Sequence, residues 1–273
     1  MSDKPALLGN KPLFSNTLHI IQPTLPRSET VVPRVRKILA SGMLTKGKYL
    51  REFEGQLEEY LDVEHAVCVS SCTLGLALAY QGLGLEGEVI VPSFTFMATV
   101  HPLMWLNVKP VFVDIDPDTW CIDPVAVEEA ITTRTTGIVA VHNFGNPADI
   151  KALEDVAQRH NLRLVFDAAH GFGSLYRGEP VGRYGDVEVF STTPTKLLIT
   201  GEGGVVTTND DALADHIRQG REYGNNGDYG SDFAGLNARM PEFNAILGIE
   251  SLKMLEESAE RRNQVVDWFR QRL

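Results

Sequence analysis

A three-layer α/β fold, with helices on both faces of a mostly parallel sheet of about seven strands, follows from three features of the sequence. Short runs that are apolar throughout and rich in β-branched residues recur along the chain, as strands buried on both faces must. Stretches with helical spacing separate most of those runs, the alternation that makes a parallel sheet. The 273 residues are 43% hydrophobic and 22% charged, enough apolar material for one sizeable core.

The elements follow in chain order. Residues 1–26 carry little periodicity and read as an extended arm. Residues 28–40 and 49–61 place apolar side chains at helical spacing among charges, which predicts two amphipathic helices. Strands are predicted at 66–69, 88–92, 110–115, 137–141, 162–166, 187–190 and 204–207. Helices are predicted between them at 74–81, 97–106, 124–131, 150–160 and 211–223. Residues 241–273 read as one or two charged, leucine-spaced helices. The domain reading is therefore an arm at 1–26, one large domain at 27–240, and at 241–273 the helical start of a second, smaller domain that the chain does not complete.

Composition excludes several classes of function. The net charge of −11 argues against a nucleic-acid or anionic-membrane partner, although a local phosphate pocket stays compatible with it. No apolar run approaches the length of a membrane span, and residues 1–5 lack the apolar segment of a signal peptide. Three cysteines, Cys68, Cys72 and Cys121, suit reduced thiols in a cytoplasmic protein. The seven histidines form no ligand cluster, and Cys68-x-x-x-Cys72 has no second pair, so no metal site is expected.

Two nucleotide-binding patterns match by letter only. Gly82-Leu83-Gly84-Leu85-Glu86-Gly87 fits G-x-G-x-x-G, but it follows a helix and leads into a strand. A dinucleotide loop needs the reverse order, so that the pyrophosphate meets a helix start. A helix C-terminal turn accounts for it better. Residues 42–48 have phosphate-loop spacing, yet Tyr49 stands where a metal-binding hydroxyl is required and no strand precedes.

Chemistry concentrates just past three strand ends, where ligands lie in open α/β sheets. In Val69-Ser70-Ser71-Cys72-Thr73-Leu74 a strand breaks into small polar residues and a helix begins. Its free amides and the Thr73 hydroxyl could cup a phosphate, or Ser71 could simply cap the helix. Asp167 ends an all-apolar strand and is followed by Ala168 and Ala169. A carboxylate there either needs a positive partner or caps the next turn. Lys196 comes after the strand ending at Phe190, among Ser191, Thr192, Thr193 and Thr195, and before Gly201-Glu202-Gly203-Gly204. It is either a solvated lysine or an amine held in a cleft with a lowered pKa. Together, a phosphate cup, an acid for a pyridinium nitrogen and a Schiff-base lysine are the parts of a pyridoxal phosphate site.

Those segments, with Leu44-Thr45-Lys46-Gly47, Phe53-Glu54, Val91-Pro92-Ser93-Phe94-Thr95-Phe96, Val113-Asp114-Ile115-Asp116, Pro194-Thr195-Lys196 and Gly235-Leu236-Asn237-Ala238-Arg239-Met240, make the chain resemble the DegT-type sugar aminotransferases from about residue 39 onward. The resemblance implies the large domain of a fold-type-I pyridoxal phosphate enzyme. It also implies amino transfer, with glutamate as donor, to a keto carbon of a nucleotide-linked deoxysugar. By position it makes Lys196 the Schiff-base lysine and proton shuttle, Asp167 the partner of the ring nitrogen, and His170 a neighbour of the ring hydroxyl. Phe96 matches the aromatic that stacks on the ring, although core filling would equally explain it. Cys72, Thr73 and Ser191 match phosphate contacts. Asn237 matches an asparagine that reaches the phosphate from a second subunit, which implies a homodimer with shared sites. Two departures stand out: Thr192 and Thr193 replace an aromatic and a histidine, and the family continues past residue 273 into a small domain. The related dehydratases carry histidine at the lysine position, so Lys196 argues against that branch. A cofactor-binding but impaired or regulatory homologue is the alternative reading.

Overall fold

Two helices precede the sheet in the computed structural model, which describes residues 4–17, 19, 21–228 and 230–273. These are α1 (Ser28–Ser41) and α2 (Lys48–Leu61). Of the N-terminal arm predicted at 1–26, residues 1–3, 18 and 20 lie outside the described residues; the rest holds a single 3-10 turn, Ala6–Leu8.

The alternation then runs as predicted: β1 (His65–Val69), α3 (Cys72–Gly82), β2 (Glu88–Pro92), α4 (Met97–Trp105), β3 (Lys109–Val113), α5 (Pro124–Glu129), β4 (Thr135–Val141), α6 (Ile150–His160) and β5 (Arg163–Asp167). A two-residue hairpin, β6 (Leu175–Tyr176) and β7 (Glu179–Pro180), separates β5 from β8 (Val187–Ser191). After β9 (Gly204–Thr208) come α7 (Asp211–Gly220), α8 (Glu242–Leu252) and α9 (Leu255–Arg270).

The sheet has seven strands in the order β1-β9-β8-β5-β4-β2-β3. Pairs β3/β2, β2/β4, β4/β5 and β5/β8 are parallel, whereas β9 runs antiparallel to both β8 and β1. A loop without a helix joins β8 to β9, and such a connection cannot carry the chain back for a parallel strand.

Residues alternate between two cores, one on each face. Ile90, Phe166 and Phe190 pack with α2, α6 and α8, while Val89, Val91, Val165 and Val189 pack with α3, α4 and α7. Burial on both faces is the physical reason these strands read as unbroken apolar runs. Ala245, Ile246 and Ile249 of α8 sit in the first of these cores.

The two look-alike motifs have other uses. Gly82 ends α3, and Gly84 and Gly87 take φ of +65° and +58° in the turn into β2. In the loop at 42–48 the start of α2 is filled by the protein's own carboxylate. Buried Glu242 accepts from the N–H groups of Gly47, Tyr49 and Leu50 at 3.0, 3.0 and 2.9 Å. The helix start is an anion site, and its anion is internal.

Candidate active site

The carboxyl ends of β4, β5 and β8 open onto a cavity of about 450 Å³. Cys72, Thr73, Phe96, Asp167, His170, Ser191 and Lys196 all line it. Seven of the eight residues expected in the site are thus brought together. The eighth, Asn237, lies exposed, its side-chain oxygen accepting from Arg239 at 3.0 Å, and does not line this chain's cavity.

Asp167 sits at the floor, 4% exposed. Thr99 of α4 donates its hydroxyl to Asp167 Oδ2 at 2.6 Å, and the Ala169 N–H donates to Oδ1 at 3.0 Å. The Thr99 proton is thereby committed, so in the 2.7 Å contact with Thr95 it is Thr95 that donates. The Thr99 carbonyl accepts in turn from the buried Tyr80 hydroxyl at 3.0 Å. Burial pushes the Asp167 carboxyl pKa up, against the lowering pull of Thr99, Ala169 and two histidines. No Lys or Arg pairs with it among the described residues. It is a buried acid with two neutral donors and room for a cation.

Lys196 follows β8 in a turn closed by its own N–H to the Thr193 carbonyl, 3.0 Å. The side chain is half-buried. Desolvation lowers its pKa, opposed by the charges of Cys72 and Asp167. Thr192 is fully buried, and its hydroxyl meets that of Thr200 at 2.6 Å. Through that pair the lysine loop is hooked onto itself.

The phosphate end also fits. Ser71 caps α3, accepting from the Leu74 N–H at 3.2 Å, so the capping role is real. It leaves the Cys72 and Thr73 amides at the helix start pointing out of the first turn. Cys72 is buried, its thiol pKa raised by desolvation, and donates weakly to the Val189 carbonyl at 3.7 Å. Ser191 is buried at the end of β8. Gly204 closes this corner: a Cβ there would lie 2.6 Å from the Cys72 nitrogen.

Phe96 is 67% exposed on the cavity wall, so core filling does not explain it. His170 keeps part of its ring open to solvent. Desolvation of the rest and the nearby Lys196 charge push its pKa down, favouring neutral imidazole. Its Nδ1 accepts from the Phe144 N–H at 3.3 Å, and the two rings stack with centroids 6.1 Å apart.

Sequence reasoning missed Thr99, Thr95, Asn143 and Phe144. Asn143 is buried and donates to the carbonyls of Trp120 and Phe94 at 2.5 and 3.3 Å, drawing Phe94, Trp120 and Phe144 into one aromatic wall. The signal available for Asn143 was its place: it lies just past β4, the neighbour of β5.

On the opposite face, fully buried His142 and Glu188 meet at 3.2 Å. His142 Nδ1 accepts from the Ala148 N–H at 3.1 Å, so Nε2 carries a proton toward Glu188. No group of three or more metal-ligating side chains occurs among the described residues. No helix among them is long and apolar enough to cross a membrane.

Comparison with known proteins gives the family. Residues 27–273 match the DegT/DnrJ/EryC1/StrS aminotransferase family. The GDP-perosamine synthase of Caulobacter vibrioides is 37% identical over 262 residues, covering 91% of this chain and 71% of that protein. The structure of DesI in the presence of its TDP-sugar product superimposes with a TM-score of 0.89 at 41% identity, covering 95% of this chain and 67% of the other. A Bacillus subtilis protein, NtdA, solved with bound cofactor PMP, has a TM-score of 0.78 at 33% identity over 83% of this chain and 53% of its own.

Proposed function

The chain belongs to the DegT/DnrJ/EryC1/StrS aminotransferase family, and on that premise we propose that it moves an amino group from glutamate to a keto carbon of a nucleotide-linked sugar. It is a transaminase, and pyridoxal phosphate is its cofactor. The observation that carries the reading is Asp167, a buried acid with no Lys or Arg in ion-pair contact among the described residues, in one cavity with a half-buried lysine.

Asp167 would hold the ring nitrogen, Cys72, Thr73 and Ser191 the phosphate, Phe96 a ring face, and His170 the ring hydroxyl. When bound, the cofactor supplies an electron sink for a carbanion at the donor's Cα. The residues do the rest. Asp167, fixed by Thr99 and Ala169, would hold a proton on a bound ring nitrogen, and its own charge would gain there the positive partner that its burial calls for. Lys196, whose lowered pKa enlarges the share of free amine, takes the proton from the donor's Cα and returns it on the other side of the transfer.

A homodimer is part of the proposal. Asn237 is exposed and outside its own cavity, as a residue serving a second subunit would be.

The test is spectroscopic. Protein loaded with pyridoxal phosphate should show the visible band of the lysine-bound cofactor, and glutamate alone should bleach it; a keto-sugar nucleotide should then restore it. Lys196→Ala should lack the band. A wild-type spectrum that ignores every amino donor would overturn the reading in favour of an impaired or regulatory homologue.

A further inference from the structure

A second cavity of about 220 Å³ adjoins the first and shares Ala169, His170, Ser191, Thr195 and Lys196 with it. Its outer wall is Phe144 and Arg262. Arg262 belongs to α9, yet its Nη2 donates to the Lys196 carbonyl at 3.2 Å, across 66 residues of sequence. Among the described residues lining the two cavities, only Lys196 and Arg262 carry a lasting positive charge. Arg262 makes no salt bridge among the described residues, and a single hydrogen bond occupies only one of its five N–H groups.

We propose that Arg262 receives a carboxylate of the amino donor. This inference rests on the aminotransferase reading above. Its chemistry is the fork of guanidinium donors matched to a carboxylate, a pairing that lysine reproduces only as a point charge. The hydrogen bond to the Lys196 carbonyl holds the guanidinium at the cavity wall and engages one of its five donors. An amino acid is the occupant that this chamber of about 220 Å³ can take by itself beside the cofactor cavity, whereas a sugar nucleotide would need space beyond it. Phe144 and Phe172 on its walls suit the carbon chain between the two charged ends of such a donor. Binding the donor there also fixes its amine beside Lys196.

The experiment uses the complete chain loaded with cofactor. Arg262→Ala should raise the glutamate concentration for half-maximal bleaching at least tenfold, and leave the maximal bleaching rate within about threefold. Arg262→Lys should recover part of the affinity. Calorimetry with glutarate, which cannot react, should show binding to wild type and at least a tenfold loss in Arg262→Ala. The pH profile of the visible band should be unchanged in both variants, since a merely structural role through the Lys196 loop would move it. Unchanged glutamate and glutarate affinity in Arg262→Ala would overturn the proposal, as would a shifted pH profile. Weaker binding of the sugar nucleotide with intact glutamate affinity would assign Arg262 to a phosphate and overturn it equally. If wild type itself ignores amino donors, the failure belongs to the aminotransferase reading and not to Arg262.

Discussion

Replacing Gly204 by alanine tests the phosphate corner directly. The added Cβ would lie 2.6 Å from the Cys72 nitrogen and 2.8 Å from Cys72 Cα and the Ser71 carbonyl carbon. Ordinary contact begins at 3.4 Å, so the shortfall is about 0.8 Å, and all three atoms are backbone. The strand cannot slide away, because Gly204 is paired with Val69 of β1 on one side and Ser191 of β8 on the other. The start of α3 must therefore move. Overpacking of this kind costs about 1–3 kcal/mol, which for a chain of this size lowers Tm by about 2–12 °C. A displacement approaching 1 Å should also misplace the Cys72 and Thr73 amides and weaken cofactor binding about tenfold to a hundredfold. Differential scanning fluorimetry and a cofactor titration measure both. Gly55→Ala is the control: it lies within α2 with nothing near its Cβ and should stabilise by about 0.5–1 kcal/mol. A Gly204→Ala protein with wild-type Tm and cofactor affinity would refute the claim that this corner is rigid.

Other expectations follow from buried groups. The folded pKa of Asp167 is raised, so without cofactor its contribution to stability is present below the unfolded value and is lost as pH rises through the folded one. Cofactor-free Asp167→Asn should therefore gain on wild type in urea midpoints as pH rises above the ordinary carboxylate range, while binding cofactor more weakly; a gain that shrinks with pH would contradict this. Glu242→Ala strands three amides in a buried site and should cost about 3 kcal/mol or more. Glu242→Gln keeps one oxygen for Gly47 and Leu50 but turns a donor toward Tyr49, so its urea midpoint should fall between the two. Burial raises the thiol pKa of Cys68, Cys72 and Cys121; a thiol reagent at pH 8 should titrate none rapidly in native protein and all three in denaturant.

Most of the fold was legible because strands buried on both faces carry an unbroken apolar signal. The hairpin at Leu175–Pro180 was not, since two residues per strand are too few for periodicity. Asp167 and Lys196 were legible because each is a charge at the end of an apolar run. Thr99 was not: a threonine inside an apolar helix looks like packing until the fold brings it to a carboxylate 68 residues away. Arg262 is hidden in the same way, one charge among many on α9. The direction of β9 could have been read from the missing helix between residues 191 and 204.

The seat of Glu242 has a consequence in time. The amides it satisfies sit at Gly47–Leu50, some 192–195 positions earlier in the chain. At about 5–20 residues per second of synthesis, the start of α2 emerges roughly 10–40 s before the carboxylate that completes it. One of the first helices of the protein thus waits for one of the last, and a nascent chain stopped short of residue 242 would leave that helix start open to water, to chaperones or to any passing anion.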